Sequence, residues 1–162
     1  MVNENFLGQD FDLGFIADEE GRVFAGPHTH VDLRAKLRGD VAPHTIDLGL
    51  VNGRRNLIQS LILRLKTEKG ELARLGHPDY GSRHHKLIGE PNSENNRNLV
   101  KLYILECLKQ EHRLEEILKI NVKPGEGREN RDKVDVEIDV KIKGDPEPLN
   151  LVVPFFFEES LE

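Results

Sequence analysis

Four carboxylates are the residues of this chain best placed to do acid–base chemistry. Glycoside hydrolysis uses two carboxyl groups roughly 5–10 Å apart, one of them with a raised pKa. The basic neighbours Arg74 and His77 would instead hold nearby carboxyl groups ionised, and the chain has no Trp to form a platform for a sugar. We therefore expect no catalytic residue. The carboxylates considered are Glu71, Asp79, Glu90 and Glu111.

Seven histidines make a metal site the second candidate chemistry. The tightest groups are His28-Thr29-His30 and His84-His85, with His77 close to the second group in the sequence. Adjacent histidines on a strand or loop point apart, and no His-x-x-x-His pair or set of cysteines accompanies them. We expect neither a metal nor another cofactor. Arg83-His84-His85-Lys86 instead predicts a basic patch, partly titrating near neutral pH, that could meet an acidic partner.

An amphipathic helix is the first element that would position these residues. Asn52 is a good N-cap and Gly70 is a good residue to follow a helix C-terminus, so we expect a helix between them. Apolar residues recur along one side of this segment at helical spacing, which predicts the face that packs on the core. They are Leu57, Ile58, Leu61, Ile62 and Leu65.

A second helix follows a turn-rich connection. Residues 71–92 contain three glycines and two prolines, and a connection of this length is usually functional or contains a helical turn. The second helix should begin at Asn92 or Ser93 and reach Gln110. Its apolar residues span a wide arc, which predicts a central helix covered on several sides. Cys107 lies among them and is expected to be a buried thiol and no nucleophile.

The last third of the chain changes to the period of a β-strand. Residues 134–142 alternate apolar with charged side chains, a pattern typical of a strand buried on one face. Residues 117–123 and 149–157 are expected to flank it as strands, joined through turns. The sequence thus predicts an α+β fold in which two main helices pack on a small antiparallel meander sheet.

Residues 1–45 are expected to form an irregular N-terminal extension, because glycines and prolines interrupt them repeatedly. We place the domain boundary there, with an α+β domain over residues 46–162. Both ends of the chain are acidic: the first 20 residues contain six acidic residues and no Lys or Arg, and residues 144–162 contain five acidic residues and no base. Electrostatic complementarity with protein neighbours would suit these ends, and solvated tails are the alternative.

Composition argues against several other classes of partner. The net charge is −6 and the basic residues form no concentrated run, so nucleic acid is not expected as a partner. No apolar run approaches the roughly 20 residues needed to span a bilayer, and the N-terminus lacks the basic and apolar regions of a secretory signal. With a mean hydropathy of −0.52, we expect a protein of the cytoplasm without a membrane partner.

Three short segments occur in an order that resembles a known family. Thr67-Glu68-Lys69-Gly70-Glu71 ends the first predicted helix, Pro78-Asp79-Tyr80-Gly81 lies in the connection, and Glu111-His112-Arg113 follows the second helix. The Gp25/GPW family of baseplate wedge proteins has Thr-x-x-Gly-Glu, Pro-x-Tyr-Gly and Glu-Pro-Arg in this order before a β-rich end. The resemblance covers approximately residues 46–157. His112 replaces the usual proline, which predicts a second helix longer by a residue or two.

The resemblance implies a structural component of a contractile injection machine and no enzyme. The corner at Glu111 and Arg113 would engage the helical bundle of wedge proteins. The β-rich end would accept extended strands from the first ring of sheath subunits, so that the tail sheath protein assembles on this platform. Hub or tube-initiator proteins are further candidate partners. The protein would be made in the cytoplasm and end in the baseplate of a phage tail, an extracellular injection particle or a secretion system.

Two other functions stay open from the sequence. The family has carried a lysozyme label, so the alternative is a peptidoglycan-degrading, lysozyme-like hydrolase. A free-standing adaptor outside any tail would have similar surface features. The lack of Trp and of an evident carboxylate pair argues against the hydrolase, and the ordered motifs argue against the free-standing adaptor.

The residues predicted to bind protein lie at the corner and on the last strand. The ion pair at the corner is expected to be exposed, so that replacing Arg113 would leave folding nearly intact. The last strand has apolar residues on both faces and a proline, Pro154, that is typical of an edge strand. We expect Phe156 to lie on its outer face. The full set is Glu111, His112, Arg113, Leu149, Leu151, Val153, Phe155, Phe156 and Phe157.

Overall fold

Two helices pack on one face of a three-stranded antiparallel sheet in the computed structural model, which describes residues 4–13, 33, 35–37, 46–127 and 130–158. The predicted α+β fold is confirmed. Two short 3-10 helices, Glu71–Leu75 and His84–Leu87, occupy the long connection. The remaining elements are α1 (Glu4–Leu7), β1 (Gln9–Phe11), β2 (Ala35–Leu37), β3 (Ile46–Leu48), β4 (Leu50–Asn52), α2 (Gly53–Lys66), α3 (Glu94–Leu108), β5 (Leu114–Pro124), β6 (Lys133–Ile142) and β7 (Leu149–Phe156).

Helix α2 begins as predicted and ends earlier than predicted. Asn52 precedes it in an extended conformation, although the Asn52 side chain makes no capping hydrogen bond. The helix stops at Lys66 because Thr67 adopts an extended conformation. Gly70, the predicted end, lies further along the chain with a φ of 96° and precedes the first 3-10 helix, a conformation that glycine adopts without steric cost.

Helix α3 begins where the sequence places it and also ends early. The hydroxyl oxygen of Ser93 accepts a hydrogen bond from the N–H of Asn96 at 3.2 Å, which caps the helix. The helix ends at Leu108, so the longer helix predicted from His112 is wrong. The N–H of Glu111 bonds the carbonyl of Leu108 at 3.0 Å and closes a tight turn instead. Helix α3 contacts β5, α2 and the second 3-10 helix, as expected of a helix covered on several sides, while Leu102 on it is 46% exposed.

The sheet has the strand order β5-β6-β7, and every pairing in it is antiparallel. Strand β6 lies at the centre and alternates between buried and half-buried side chains, as its sequence pattern predicts. Strand β5 is longer than predicted, with two irregularities in its pairing. Among the strands that the structure describes, β7 lies at the edge of this sheet, which confirms the inference drawn from Pro154.

One hydrophobic core fills the space between the two helices and the inner face of the sheet. Apolar side chains buried in this way each stabilise the fold by roughly 1.5–3 kcal/mol relative to an exposed position. Cys107 belongs to this core, as predicted. Its fully buried members include Leu57, Leu61, Ile62, Leu65, Val100, Ile104, Leu108, Val136, Ile138, Val140, Ile142 and Leu151.

The described part of residues 1–45 contacts the domain. Leu7 is only 1% exposed and joins the core. Strand β1 pairs with β4, and β2 pairs with β3, both antiparallel. The proposed boundary at residue 45 stays a prediction. Within the part of the chain that the structure covers, no helix has both the length and the apolar character to cross a membrane.

Candidate functional site

The turn after α3 brings Glu111 and Arg113 into a bidentate ion pair. The Nε of Arg113 lies 2.7 Å from Oε1 of Glu111, and its Nη2 lies 3.0 Å from Oε2. The side chain of Glu111 is 2% exposed and that of Arg113 is 12% exposed. The expectation of an exposed pair is therefore wrong, because the turn folds both side chains back into the domain. His112, between them, has a side chain that is 77% exposed.

Side chains and backbone from two other segments surround this ion pair. Arg113 donates from Nη1 to the carbonyl of Leu7 at 3.2 Å and from Nη2 to the hydroxyl of Ser60 at 2.7 Å. The Nη2 of Arg64 lies 3.6 Å from Oε2 of Glu111. The pair thus connects α1, α2 and the corner before β5, and its donors satisfy polar groups that would otherwise be buried alone.

The environment of Glu111 keeps its carboxyl group ionised. Burial alone would raise the pKa of Glu111, but the hydrogen bonds and charge of Arg113, with the charge of Arg64, lower it below its usual value. An ionised carboxylate cannot serve as the proton donor of glycoside hydrolysis. Of the other candidate carboxylates, Asp79 forms an exposed ion pair with Lys69 at 3.4 Å, and Glu71 and Glu90 are exposed.

The two earlier motifs contact each other through their backbones. The carbonyl of Thr67 accepts from the N–H of Ser82 at 2.9 Å, and the N–H of Lys69 donates to the carbonyl of Ser82 at 3.1 Å. Gly81 has a φ of 97°, and a Cβ there would lie 2.6 Å from the carbonyl oxygen of Thr67. Only glycine permits this close approach. The spacing of the two motifs is therefore explained by packing.

Arg64 connects these motifs to the ion pair. Its guanidinium lies 4.5 Å from the ring centroid of Tyr80, a cation–π contact, while it also faces Glu111. Sequence reasoning missed Arg64, Ser60 and Leu7. A single Arg inside the apolar run of residues 61–65 was the available signal for the first. The three motifs thus converge on one buried structural network.

The adjacent histidines lie in the second 3-10 helix and stack. Their ring centroids are 4.2 Å apart, so the expectation that they point apart is wrong. Nδ1 of His84 lies 2.7 Å from the hydroxyl oxygen of Ser82, and its ring meets that of Phe155 edge-on at 5.0 Å. Burial, followed by the neighbouring His85, lowers the pKa of His84 to about 3. His84 is therefore neutral near pH 7 and adds nothing to the predicted titrating basic patch.

Among the described residues, no group of three or more His, Cys, Asp or Glu side chains could hold a metal ion. His28 and His30 lie outside the described residues.

The predicted binding residues in and just after β7 lie on both faces of the sheet. Phe156 faces the opposite side and is partly exposed, as predicted. The others pack inward, so their side chains are not available to a partner in this conformation. These buried residues are Leu149, Leu151, Val153, Phe155 and Phe157. Among the described strands, none pairs with the outer edge of β7.

A groove of about 360 Å³ opens beside the ion pair, between the C-terminal half of α3 and the start of β5. Glu111 lies at one wall. Apolar side chains alternate with charges of both signs around it. The lining residues include Leu105, Leu108, Ile117, Lys109, Glu115 and Glu116.

The family model for baseplate wedge protein gp25 matches residues 51–147, more than half of the chain and all three motifs. The chain belongs to the gp25 baseplate wedge family. This membership confirms the resemblance and gives the protein a structural role in a phage baseplate, in association with other baseplate proteins and as a component of the virion. Strand β7 and the N-terminal residues 4–13 fall outside the matched range.

A solved structure resembles this gp25-family chain in fold. It is a 1.44 Å crystal structure of a protein from Geobacter sulfurreducens that is provisionally named a tail lysozyme. The two chains are 25% identical and superpose with a TM-score of 0.56, over 66% of this chain and 93% of the other. None of the curated proteins compared with the chain matches it.

Proposed function

We propose that this gp25-family protein links the wedge core bundle to the first sheath ring and nucleates sheath assembly. Family membership supports the place in the baseplate. Two surfaces support the two partners: the groove between α3 and β5, and the outer edge of β7. The outer edge of β7, with which no described strand pairs, is the observation on which the sheath contact rests.

The groove suits a helix of the wedge bundle. Apolar side chains such as Leu105 and Ile117 can receive the apolar face of a helix, while Lys109, Glu115 and Glu116 can fix its register through charge. The buried pair of Glu111 and Arg113 would act by shaping this corner. His112 is the member of the motif whose side chain can reach a partner.

The edge of β7 suits an extended segment of a sheath subunit. An open strand edge presents unpaired backbone N–H and carbonyl groups, and a peptide can add to it as a further strand. The partly exposed ring of Phe156 supplies an apolar contact beside that edge. Strand addition requires no catalytic chemistry, which agrees with the structural role of the family.

The hydrolase alternative has support only from the provisional name of the Geobacter protein. Its general acid would need a carboxyl group with a raised pKa. Glu111 has a lowered pKa, and the exposed Asp79 is paired with Lys69. The structural role is therefore the better supported function.

The test is Phe156→Asp in the complete chain, introduced into cells that assemble the particle. We expect baseplates without attached sheath, because a carboxylate would oppose strand addition at that position. The isolated protein should keep its melting temperature, since Phe156 faces away from the core. Electron micrographs of purified particles give the readout.

Leu75→Asp is the matched control, because Leu75 is 73% exposed on the first 3-10 helix. It introduces the same charge without touching β7 and should leave the sheath attached. Normal sheath attachment in Phe156→Asp particles would contradict the proposed contact. Unfolding of the isolated Phe156→Asp protein would show that Phe156 is part of the core.

A further inference from the structure

The register of β6 and β7 shows which backbone groups of β7 face its outer edge. In an antiparallel pair, residues that exchange hydrogen bonds with the neighbouring strand alternate with residues whose N–H and carbonyl point away from it. The N–H of Phe157 donates to the carbonyl of Asp132 at 2.8 Å, in the register of the two strands. Phe157 therefore faces β6, and so does every second residue before it. The residues between these face the outer edge: Asn150, Val152, Pro154 and Phe156.

The pairing of β6 with β5 gives the same alternation independently. The carbonyl of Lys133 accepts from the N–H of Gly125 at 2.8 Å, so the backbone of Lys133 faces β5. Lys133 is also the register partner of Phe156 in β7. Because the backbone groups of Lys133 point to β5, the N–H and carbonyl of Phe156 face away from β6 and towards the outer edge.

Pro154 occupies one of these outward positions, which explains how a proline fits this strand. Proline has no N–H, and inside a ladder it would remove a hydrogen bond. At an outward position it removes no bond with β6. It leaves the outer edge without a donor there, and its ring occupies the place that the carbonyl of an added strand would take. Backbone pairing along this edge is therefore interrupted at Pro154.

A second proline limits the edge at the start of β7. Pro148 precedes the strand and has no N–H. Its carbonyl already accepts from Nη2 of Arg54 on α2 at 2.5 Å. Between the two prolines lies the edge window, residues 149–153. Within it, Asn150 and Val152 each present both an N–H and a carbonyl to the outer edge, which is enough for a short added strand.

The side chains at the edge window favour an apolar residue in the added strand. Nδ2 of Asn150 donates to Oδ1 of Asp139 at 2.5 Å, so this amide is engaged within the sheet. Val152 is apolar and 8% exposed. Side chains directly opposite each other on neighbouring strands pack together, so the residue added opposite Val152 would bury its side chain best if it were apolar.

A second copy of β7 is a poor occupant of the edge window. Two identical strands that join edge to edge present the same residues to each other. An antiparallel register that spans the whole edge places Pro154 of each copy opposite Val152 of the other, so bonds of the window are lost on both strands. A strand of another protein meets these prolines once, at the ends of the window.

We infer that Pro148 and Pro154 confine strand addition to the edge window, where β7 accepts a short extended segment of another protein with an apolar residue opposite Val152. Only the identity of that protein, a sheath subunit, rests on the proposed function. Beyond Pro154 the segment can contact the ring of Phe156 without backbone pairing, and this is the contact that Phe156→Asp removes.

Amide hydrogen exchange in the free full-length protein measures whether the window is open. The N–H groups of Asn150 and Val152 should exchange roughly a hundredfold faster or more than that of Val153, because Val153 bonds β6 and opens only when the sheet does. NMR spectroscopy resolves the three amides. Equal protection of all three would show that the outward N–H groups are covered, and this result would overturn the inference.

Val152→Pro removes one N–H that the sheet does not use. The isolated variant should keep its melting temperature. Cells that assemble the particle with it should yield roughly tenfold fewer sheathed particles, since a hydrogen bond of the window is lost and the added ring obstructs the edge. Val152→Ile is the matched control: it keeps the N–H and a β-branched apolar side chain, and should leave the sheath attached.

Comparison with Phe156→Asp distinguishes the edge window from the sheath contact itself. Sheath that is lost in Phe156→Asp particles but kept in Val152→Pro particles would overturn the window and leave the sheath contact standing. Sheath that is kept in both would contradict the sheath contact and the window together. If Val152→Pro unfolds the isolated protein, Asn150→Pro removes the other N–H of the window. Unfolding of both variants would show that these N–H groups serve the fold, which also overturns the inference.

Discussion

At the scale of single residues, the main role of Glu111 and Arg113 is structural. Their charges are almost fully removed from water, and each end of the pair has a further polar partner, Arg64 on one side and Ser60 on the other. A buried ion pair adds little stability relative to a well-packed apolar pair, but removal of one partner leaves an uncompensated charge in the interior. The Glu111–Arg113 ion pair therefore stabilises one conformation of the turn between α3 and β5.

Arg113→Ala should destabilise the protein by roughly 3–5 kcal/mol, because it leaves the carboxylate of Glu111 buried without its main partner. Chemical denaturation measures the loss. Lys141→Ala is the control, since it breaks the exposed ion pair with Glu115 and should change stability far less. A loss of similar size in the two variants would contradict the assignment of Arg113 to the interior.

The sequence identifies this pair but not its surroundings. The spacing of Glu111 and Arg113 and the family motif mark both residues, yet burial depends on Leu7 and Ser60, which lie 106 and 53 residues away from Arg113. Contacts of such separation leave no local pattern. The ring of His84 also packs against that of Phe155 in β7, a contact between residues far apart in the sequence, so its buried, neutral state could not be predicted from its sequence neighbours.

At the scale of elements, the periodicity of apolar residues predicts which segments form helices and strands. The periodicity of α2, α3 and β6 identifies all three, since one face of each is buried against the same core. The ends of elements are predicted less well because long-range contacts determine them: the backbone of Thr67 pairs with Ser82, so α2 ends before Gly70. The full length of β5 likewise comes from its pairing with β6.

Gly81→Ala should destabilise the junction between the end of α2 and the following turn. A positive φ costs an alanine about 1–2 kcal/mol, and the clash of its Cβ with the backbone of Thr67 and Glu68 adds roughly 1–3 kcal/mol. Gly76→Ala is the control: Gly76 also has a positive φ, 87°, but nothing lies within 4 Å of its Cβ position. Thermal melts that rank the two variants equally would contradict the packing explanation of the motif.

At the scale of the whole molecule, two buried titratable groups make the fold sensitive to acid. His84 has a folded-state pKa of about 3, against an ordinary value of 6.5, so below pH 6.5 the unfolded chain binds a proton that the folded protein rejects. Stability from this source is lost as the pH falls from 6.5 towards 3. The lowered pKa of Glu111 acts in the same direction, but only as the pH falls below the usual range of a carboxyl group.

His84 and Glu111 affect stability in different pH ranges, so the contribution of His84 can be measured alone. Between pH 6.5 and about pH 5 the free energy of unfolding should fall by about 2 kcal/mol, since each pH unit contributes up to about 1.4 kcal/mol. His84→Gln should flatten this dependence, because an amide can bond Ser82 but does not titrate. His77→Gln, at an exposed position, should leave the slope as it is. Urea denaturation across this range measures all three proteins, and an unchanged slope in His84→Gln would mean that burial of His84 is not the source of the acid sensitivity.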